Sequence, residues 1–359
     1  MATLSLAMIV KNEEKTLERV LACAQGFCDE LIVADTGSTD NTVAIAKRMG
    51  AKVIDFTWID DFSAARNAAF NACTGDWIVW LDADDIVTPD NQARFRQLKE
   101  TLLNQSGIIQ VMCTYEVSFN AKGDCDFSYA RERIICNNGK ARWKGVIHEY
   151  VETDEGETVN ALDICIEHRP LPELQARKVD RNIKILEKAY NQGDRSPRTT
   201  FYYGNELKDH HRFADAIAMY TEYLANPGCG WEQYQAMVQA YHCAIGLNDE
   251  KQALEWAHRA IRHDSTRAEA WNLVGMVHYK REEWERAIPF FTAASSCPRP
   301  SDGFVNNSDY TWVPGDYLSI CYDRLKNYTK AIELSLQTLP LSPEAPRLKK
   351  NLHWLIDQL

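Results

Sequence analysis

The stretch Trp77-Ile78-Val79-Trp80-Leu81-Asp82-Ala83-Asp84-Asp85 constrains this chain more than any other. Residues 77–81 form an apolar run with Trp and β-branched character, long enough for a buried strand and too short for a buried helix. The run breaks at once into three carboxylates. In a parallel α/β sheet, ligands bind at the C-terminal ends of the strands. Carboxylates packed this closely repel one another unless something positive sits among them. A hard divalent cation, Mn²⁺ or Mg²⁺, meets that need and leaves coordination positions open for phosphate. An isolated Asp-x-Asp has a plainer reading, a solvated acidic turn ahead of the helix start at Pro89.

What precedes this stretch has a βαβ rhythm. Leu4 to Val10 reads as a continuous apolar strand, followed by Lys11-Asn12-Glu13-Glu14 and an amphipathic helix ending near Gly26. Leu31 to Ala34 is a second strand ending in Asp35. Thr36-Gly37-Ser38-Thr39-Asp40-Asn41-Thr42 is a small-residue turn suited to cap a helix over 42–49, with Gly50 at its end and a third strand over 52–56. Strand and helix in alternation imply a parallel sheet with right-handed crossovers. The Gly37 turn lacks both the dinucleotide fingerprint and the Walker spacing. Asp35 by itself reads equally as a turn residue or as a ribose contact. Residues 60–73 read as a loop and a helix capped by Asp61 or Ser63. Arg66 in its first turns opposes the helix dipole, which points to an anion at that helix start or to a surface pair with Asp60 or Asp61.

Met8-Ile9-Val10-Lys11-Asn12-Glu13, Asp35-Thr36-Gly37-Ser38-Thr39-Asp40, Arg66-Asn67 and Asp82-Ala83-Asp84-Asp85 occur in that order over about 85 residues. So spaced, they resemble the nucleotide-sugar domain of the family 2 glycosyltransferases, with the GT-A fold, and Asp82–Asp84 its DXD motif. The resemblance implies that Ile9, Val10, Lys11, Glu13 and Asp35 hold the nucleoside and that Arg66 contacts the diphosphate. It places Asp82 and Ala83 near the ribose and gives Asp84 the metal. The donor it implies is a nucleoside diphosphate sugar, with UDP the expected nucleotide. The family's usual aromatic beside the base is absent after strand one, so recognition of uracil stays open.

Farther on, a helix is expected over 91–105, strands over 108–117 and 129–136, and a polar loop over 120–127. Arg131 and Arg133 stand two apart on the second of these strands and so share a face. Arg142-Trp143-Lys144-Gly145-Val146-Ile147-His148-Glu149 resembles the acceptor-side segment of the same superfamily. That resemblance makes Glu149 the catalytic base and Trp143 a stacking wall of the sugar or acceptor pocket, with His148 and Arg131 beside it. Asp124 and Asp126 are rivals for the base. A last strand, 164–168, ends in His168, which the resemblance makes a second metal ligand; His148 competes for that place.

From Arg169 the composition changes. Pro170 and Pro172 mark a linker, and residues 180–359 are helical in periodicity. Ala270-Trp271, Gly275, Ala287, Phe291 and Ala294 fit the tetratricopeptide pattern, and 34 positions before Ala287 lies Ala253 with Ala257 and Ala260. Gly204, Ala216, Tyr220 and Tyr223 form an earlier unit; Leu318, Tyr322, Ala331 and Ser335 form a later one. Residues 297–314, rich in Pro and Asn, interrupt the period. The expected division is therefore a GT-A domain over 1–170 and a tetratricopeptide-type solenoid over 171–359.

A net charge of −11, with no basic stripe, argues against nucleic acid as a partner. No apolar run approaches the roughly 20 residues that span a bilayer. Residues 1–10 run straight into a strand without a leader pattern, and the eleven Cys are scattered without a Cys-x-x-Cys pair. A cytoplasmic protein is the expectation. Two functional readings follow. The first is an inverting, metal-dependent glycosyltransferase whose repeats engage a protein, peptide or glycan acceptor or join two subunits into a homo-oligomer. The second is an interaction scaffold with an inactive GT-A domain. Retention of Asp35, Arg66, Asp84 and Glu149 together favours the first.

Overall fold

The computed structural model describes residues 2–119, 123, 125–171, 180–228, 230–300, 303, 305–342 and 344–358. Two compact units divide between Gly193 and Asp194. In the first, β1 (Leu4–Val10), β2 (Glu30–Asp35), β3 (Lys52–Asp55) and β4 (Trp77–Trp80) are linked by α1 (Leu17–Gln25), α2 (Thr42–Arg48) and α3 (Phe62–Ala72). These four strands pair in parallel. The apolar runs of β1, β2 and β4 are buried on both faces, as helices on both sides of a parallel sheet require, while β3 at the sheet edge stays partly exposed. Leu4, Leu6, Met8, Val33 and Val79 point into one core layer with Val20 and Leu21 of α1. Ala7, Ile32, Ala34, Ile78 and Trp80 point into the other with Ala69 and Phe70 of α3.

The sheet then becomes mixed. After β5 (Asp85–Ile86) and α4 (Pro89–Glu100) come β6 (Ile108–Phe119), β7 (Cys125–Cys136), the short strands β8 (Arg142–Lys144) and β9 (Tyr150–Glu152), and β10 (Glu157–His168). The strand order is β3-β2-β1-β4-β7-β6-β10-β5, with β8 and β9 paired separately. Helix α4 stops at Glu100, short of the expected 105, and a 3₁₀ turn fills 102–104. The last strand starts at Glu157, earlier than its apolar end suggests, because its first half is edge-like and exposed. Two consequences matter for the site. β5 pairs antiparallel with β10, setting His168 opposite Asp85. The β6–β7 register skips Arg133 between Val111↔Ile134 and Met112↔Glu132, a bulge that re-aims that arginine.

Helix α5 (Arg181–Asn191) lies past the Pro170–Pro172 linker, yet it groups with the first unit. Lys188 Nζ reaches Asp60 at 2.6 Å, and the Arg181 guanidinium lies 4.8 Å from the Phe62 ring.

The second unit is a run of helical hairpins of tetratricopeptide type: α6 (Pro197–Asp209) with α7 (Phe213–Ala225), α8 (Gly230–Gly246) with α9 (Glu250–His263), α10 (Ala268–Lys280) with α11 (Trp284–Ser295), and α12 (Val313–Arg324) with α13 (Tyr328–Thr338), then α14 (Ala345–Ile356). Ala216, Ala253, Ala257, Ala287 and Ala331 are fully buried where the helices of a pair touch. A Cβ on Gly204 or Gly275 would come within 2.8 Å of the Tyr220 or Phe291 ring, so the close approach of these pairs requires glycine. Among the described residues, no helix is long and apolar enough to cross a membrane.

Candidate active site

The carboxylates after β4 separate into three roles. Asp85 is fully buried and spent on structure: it accepts from Tyr115 Oη at 2.9 Å, from Arg133 Nη1 at 3.0 Å and from the Asp82 amide at 2.9 Å. Arg133, also fully buried, is sandwiched between the rings of Trp80 and Tyr115 at 3.9 and 4.0 Å. A buried charge needs a partner at hydrogen-bond range, and this pair supplies one for each member. Arg133 is a residue whose weight the sequence hides, since nothing in its spacing marks a bulge.

Asp82 points the other way and accepts from Arg66 Nη2 at 2.8 Å. Burial pushes its pKa up, but Arg66 and then Arg133 outweigh it and hold the carboxyl well below the usual carboxylate range. Asp84 lies between these two acids. Its Oδ1 is 3.4 Å from His168 Nδ1, with Asp85 Oδ1 at 3.6 Å from the same nitrogen. That nitrogen is buried and has no hydrogen-bond partner. Burial lowers the His168 pKa, but the acids Asp85, Asp84 and Asp82 outweigh it and the net shift is upward. Among the described residues, Asp84, Asp85 and His168 bring ligand atoms within 4.8 Å of one another. His148 does not belong to that group; it sits in the left-handed backbone region, at φ 54°, one residue before Glu149.

Arg66 pairs with neither surface acid weighed for it. Asp61 caps α3 through the Ala64 amide, and Asp60 is taken by Lys188 and Trp58. The guanidinium, 9% exposed, instead bridges Asp82 and Glu149, with Nε 2.5 Å from Glu149 Oε1. Burial lowers its pKa, yet the charges of Asp82 and Glu149 outweigh it and the net shift is upward. The rings of Trp80 and Trp143 flank it at 4.9 and 4.8 Å. Trp143 is 2% exposed and packs edge-on against Phe70 and Trp80, which places it behind the arginine with no face open to an acceptor.

The segment carrying Glu149 is built onto α3. Ser63 Oγ donates to the Gly145 carbonyl, the Phe62 amide donates to Val146, and Asn67 exchanges two hydrogen bonds with the Trp143 backbone. Ser63, Arg66 and Asn67 are three and four residues apart, one helix face. Arg131 Nη2 donates to the Glu149 carbonyl at 3.0 Å, and its guanidinium reaches the Trp80 ring at 5.3 Å. Of the rival loop acids, Asp124 and the Asp126 side chain lie outside the described residues.

At the mouths of β1 and β2 the turn is self-sufficient. Asp35 accepts from the amides of Gly37 and Ser38, Asn12 joins Ser38 and Thr39, and the Glu13 amide donates to Thr42 Oγ1. Ile9 is half-buried, the side chains of Val10 and Ala83 are in the core, and Lys11 is exposed.

The family model described as glycosyl transferase family 2 matches residues 5–105, which carry the nucleotide-side strands and all three carboxylates. This segment is a glycosyl transferase family 2 domain. The chain is similar to the SPbeta prophage-derived glycosyltransferase SunS of Bacillus subtilis, 26% identical over 57% of this chain and 49% of that protein. A TPR repeat-containing protein of Synechococcus elongatus is 58% identical over 24% of this chain and 21% of its own length. A solved structure of glucosyl-3-phosphoglycerate synthase from Mycobacterium tuberculosis, in complex with Mn²⁺, UDP-glucose and phosphoglyceric acid, is 31% identical over 32% of this chain and 44% of that one, at a TM-score of 0.28. The chain spans about half the length, or less, of these relatives. The family match ends at 105, so Glu149 and His168 lie beyond the matched segment and rest on the geometry above.

Proposed function

We propose that this chain is an inverting, metal-dependent glycosyltransferase that moves a sugar from a nucleoside diphosphate donor to a protein, peptide or glycan acceptor engaged by the helical repeats. One observation carries the reading: a buried histidine nitrogen with no hydrogen-bond partner faces Asp84 at the mouth of a family 2 domain. An imidazole nitrogen beside a carboxylate is a donor set that Mn²⁺ accepts, and Asp84 and His168 would hold the ion. The chemistry an ion supplies there is neutralisation of the departing diphosphate.

The protein's own groups do the rest. Asp85, locked by Arg133 and Tyr115, fixes the turn on which Asp84 stands. Asp35 stiffens the β2 turn against which a nucleoside would lie. Glu149 is the base that takes the acceptor's proton; its carboxylate is aimed by Arg66, and its backbone is tied by Arg131. Arg66 then acts chiefly by joining the donor-side acid Asp82 to the acceptor-side acid Glu149. The repeats offer the extended surface that a large acceptor needs. A thermal-shift screen of nucleotide sugars, UDP-sugars first, with and without Mn²⁺, tests the reading: a donor should raise the melting temperature only with metal present. No shift with any nucleotide sugar would leave the domain without a donor and sink the proposal.

A further inference from the structure

The first three hairpins follow one another through connections of four residues, but residues 296–312 stand between α11 and α12. Of its described residues, Gly303 and 305–310 lie over the first helices of the second and third hairpins. A Cβ on Gly303 would meet Trp231 of α8 at 3.1 Å, and Val305 is buried. The 3₁₀ turn Asn307–Tyr310 then rests on α10. Asn272 Nδ2 donates to Asp309 Oδ1 at 2.9 Å. Tyr310 Oη donates to Glu269 Oε2 at 2.5 Å and accepts from the Ala268 amide at 3.2 Å. Tyr234 of α8 completes the floor, accepting from the Ala270 amide at 2.9 Å.

The fit is incomplete. Glu269 and Asn272 are 7% and 3% exposed, yet Glu269 Oε1 and Asn272 Oδ1 are buried without a hydrogen-bond partner. Buried acceptors left unmade are costly and uncommon. Both belong to one face of α10, three residues apart. A carboxylate on the segment, Asp309, also feels the negative charge of Glu269, while Arg267 pairs with Asp264 at 3.2 Å and lies 5.3 Å from the Tyr234 ring. Insertions in helical repeats gather on one face, often the binding face.

We infer that residues 305–311 are a built-in competitor for a polypeptide-binding groove formed by Trp231, Tyr234, Glu269 and Asn272. The groove's partner is an extended polypeptide segment that brings N–H donors to the two unsatisfied oxygens. The chain's own segment holds the place through one aliphatic residue, one carboxylate and one phenol, and a better-matched strand displaces it. The inference stands whether or not the first unit transfers a sugar.

The test uses the full chain with residues 298–311 replaced by a short Gly-Ser linker, and a synthetic peptide spanning residues 303–312. A tethered segment that stays seated must have an intrinsic dissociation constant no weaker than its effective concentration, about 1 mM for a short tether. The peptide should therefore saturate the linker variant at or below about that concentration and fail to saturate the intact chain. Peptides carrying Asp309→Ala or Tyr310→Phe should bind roughly tenfold more weakly, the loss of one hydrogen bond. A folded linker variant that ignores the peptide, or an intact chain that binds it equally well, overturns the inference. Hydrogen exchange on the intact chain decides the matter independently of that variant. The amides of residues 305–311 should open locally, well ahead of those in α8 and α10, and equal protection would make the segment a fixed part of the fold.

Discussion

Arg66 Nε and Glu149 Oε1 lie 2.5 Å apart although 83 positions separate them in the chain. The same guanidinium holds Asp82 at 2.8 Å, so one buried cation ties the end of β4 to the segment built on α3. Both sides of the proposed reaction centre are thereby fixed by a single side chain lying between two tryptophans.

Replacing Arg66 with Ala leaves two buried carboxylates without their cation. Breaking such a pair costs about 3–5 kcal/mol. Arg66→Ala should therefore lower the melting temperature clearly, as calorimetry without any ligand would read. Arg66→Lys keeps the charge but cannot span both acids, and should fall between the two. A variant as stable as the parent, with only nucleotide affinity lost, would return Arg66 to a direct diphosphate contact.

Glu149→Gln preserves size and an acceptor for Arg66 but cannot take a proton. The transfer rate should drop by about two to four powers of ten, with donor affinity nearly intact. Retention of more than about a tenth of the rate, in a variant that melts like the parent, would move the base to another carboxylate.

The neighbours Asp84 and Asp85 should behave oppositely. Asp84→Ala should melt close to the parent and lose the stabilisation that added Mn²⁺ gives, since Asp84 faces His168. Asp85→Ala strands the buried Arg133 and should cost about 3–5 kcal/mol in any buffer. Equal stability for the two variants would show that the division of roles between them is wrong.

A fragment ending at 193 keeps α5, with its Lys188–Asp60 and Arg181–Phe62 contacts; one ending at 180 does not. The longer fragment should melt higher, and it should bind donor while modifying acceptor poorly. A fragment 1–193 that works on acceptor as well as the full chain would remove the repeats from acceptor binding.

Burial and the charge of Glu269 outweigh the Asn272 hydrogen bond and push the Asp309 carboxyl up to about 6, from an ordinary value of 3.8. An acid whose seated form has the higher pKa binds its proton on seating. The seated segment is therefore favoured below about pH 4 and loses that advantage as pH rises through about 6. Its opening equilibrium should increase by up to about a hundredfold between pH 4 and pH 7, since each tenfold change in proton affinity is a tenfold change in that equilibrium. Hydrogen exchange at residues 305–311, corrected for intrinsic rates, reads this directly. Asp309→Asn should flatten the dependence, and an unaltered pH profile in that variant would assign it to another group.

Much of the architecture is legible in the sequence. Alternating strand and helix patterns over 4–56, the apolar run before Asp82 and the 34-residue alanine period all reappear in the structure, and of the two caps read for α3 it is Asp61 that serves. Each is a local signal: burial on two faces, a cap three residues from its amide, a small residue wherever helices touch. The site was legible as a set of residue types, but its connections were not. Trp143 reads as a sugar wall and proves to be the backing of Arg66, because an aromatic's exposure depends on what folds over it.

The sequence by itself determined the four parallel strands with their helices, the carboxylate cluster and the repeat period, since these follow from side-chain periodicity and turn chemistry within a few residues. Only the tertiary structure decided which charges meet. The antiparallel return of β10 beside β5 put His168 against Asp84 and Asp85; the bulge at Arg133 sent that guanidinium under Asp85; and the packing of α3 on residues 142–149 delivered Glu149 to Arg66. Pairings of this kind depend on strand order and register, and no spacing along the chain encodes them.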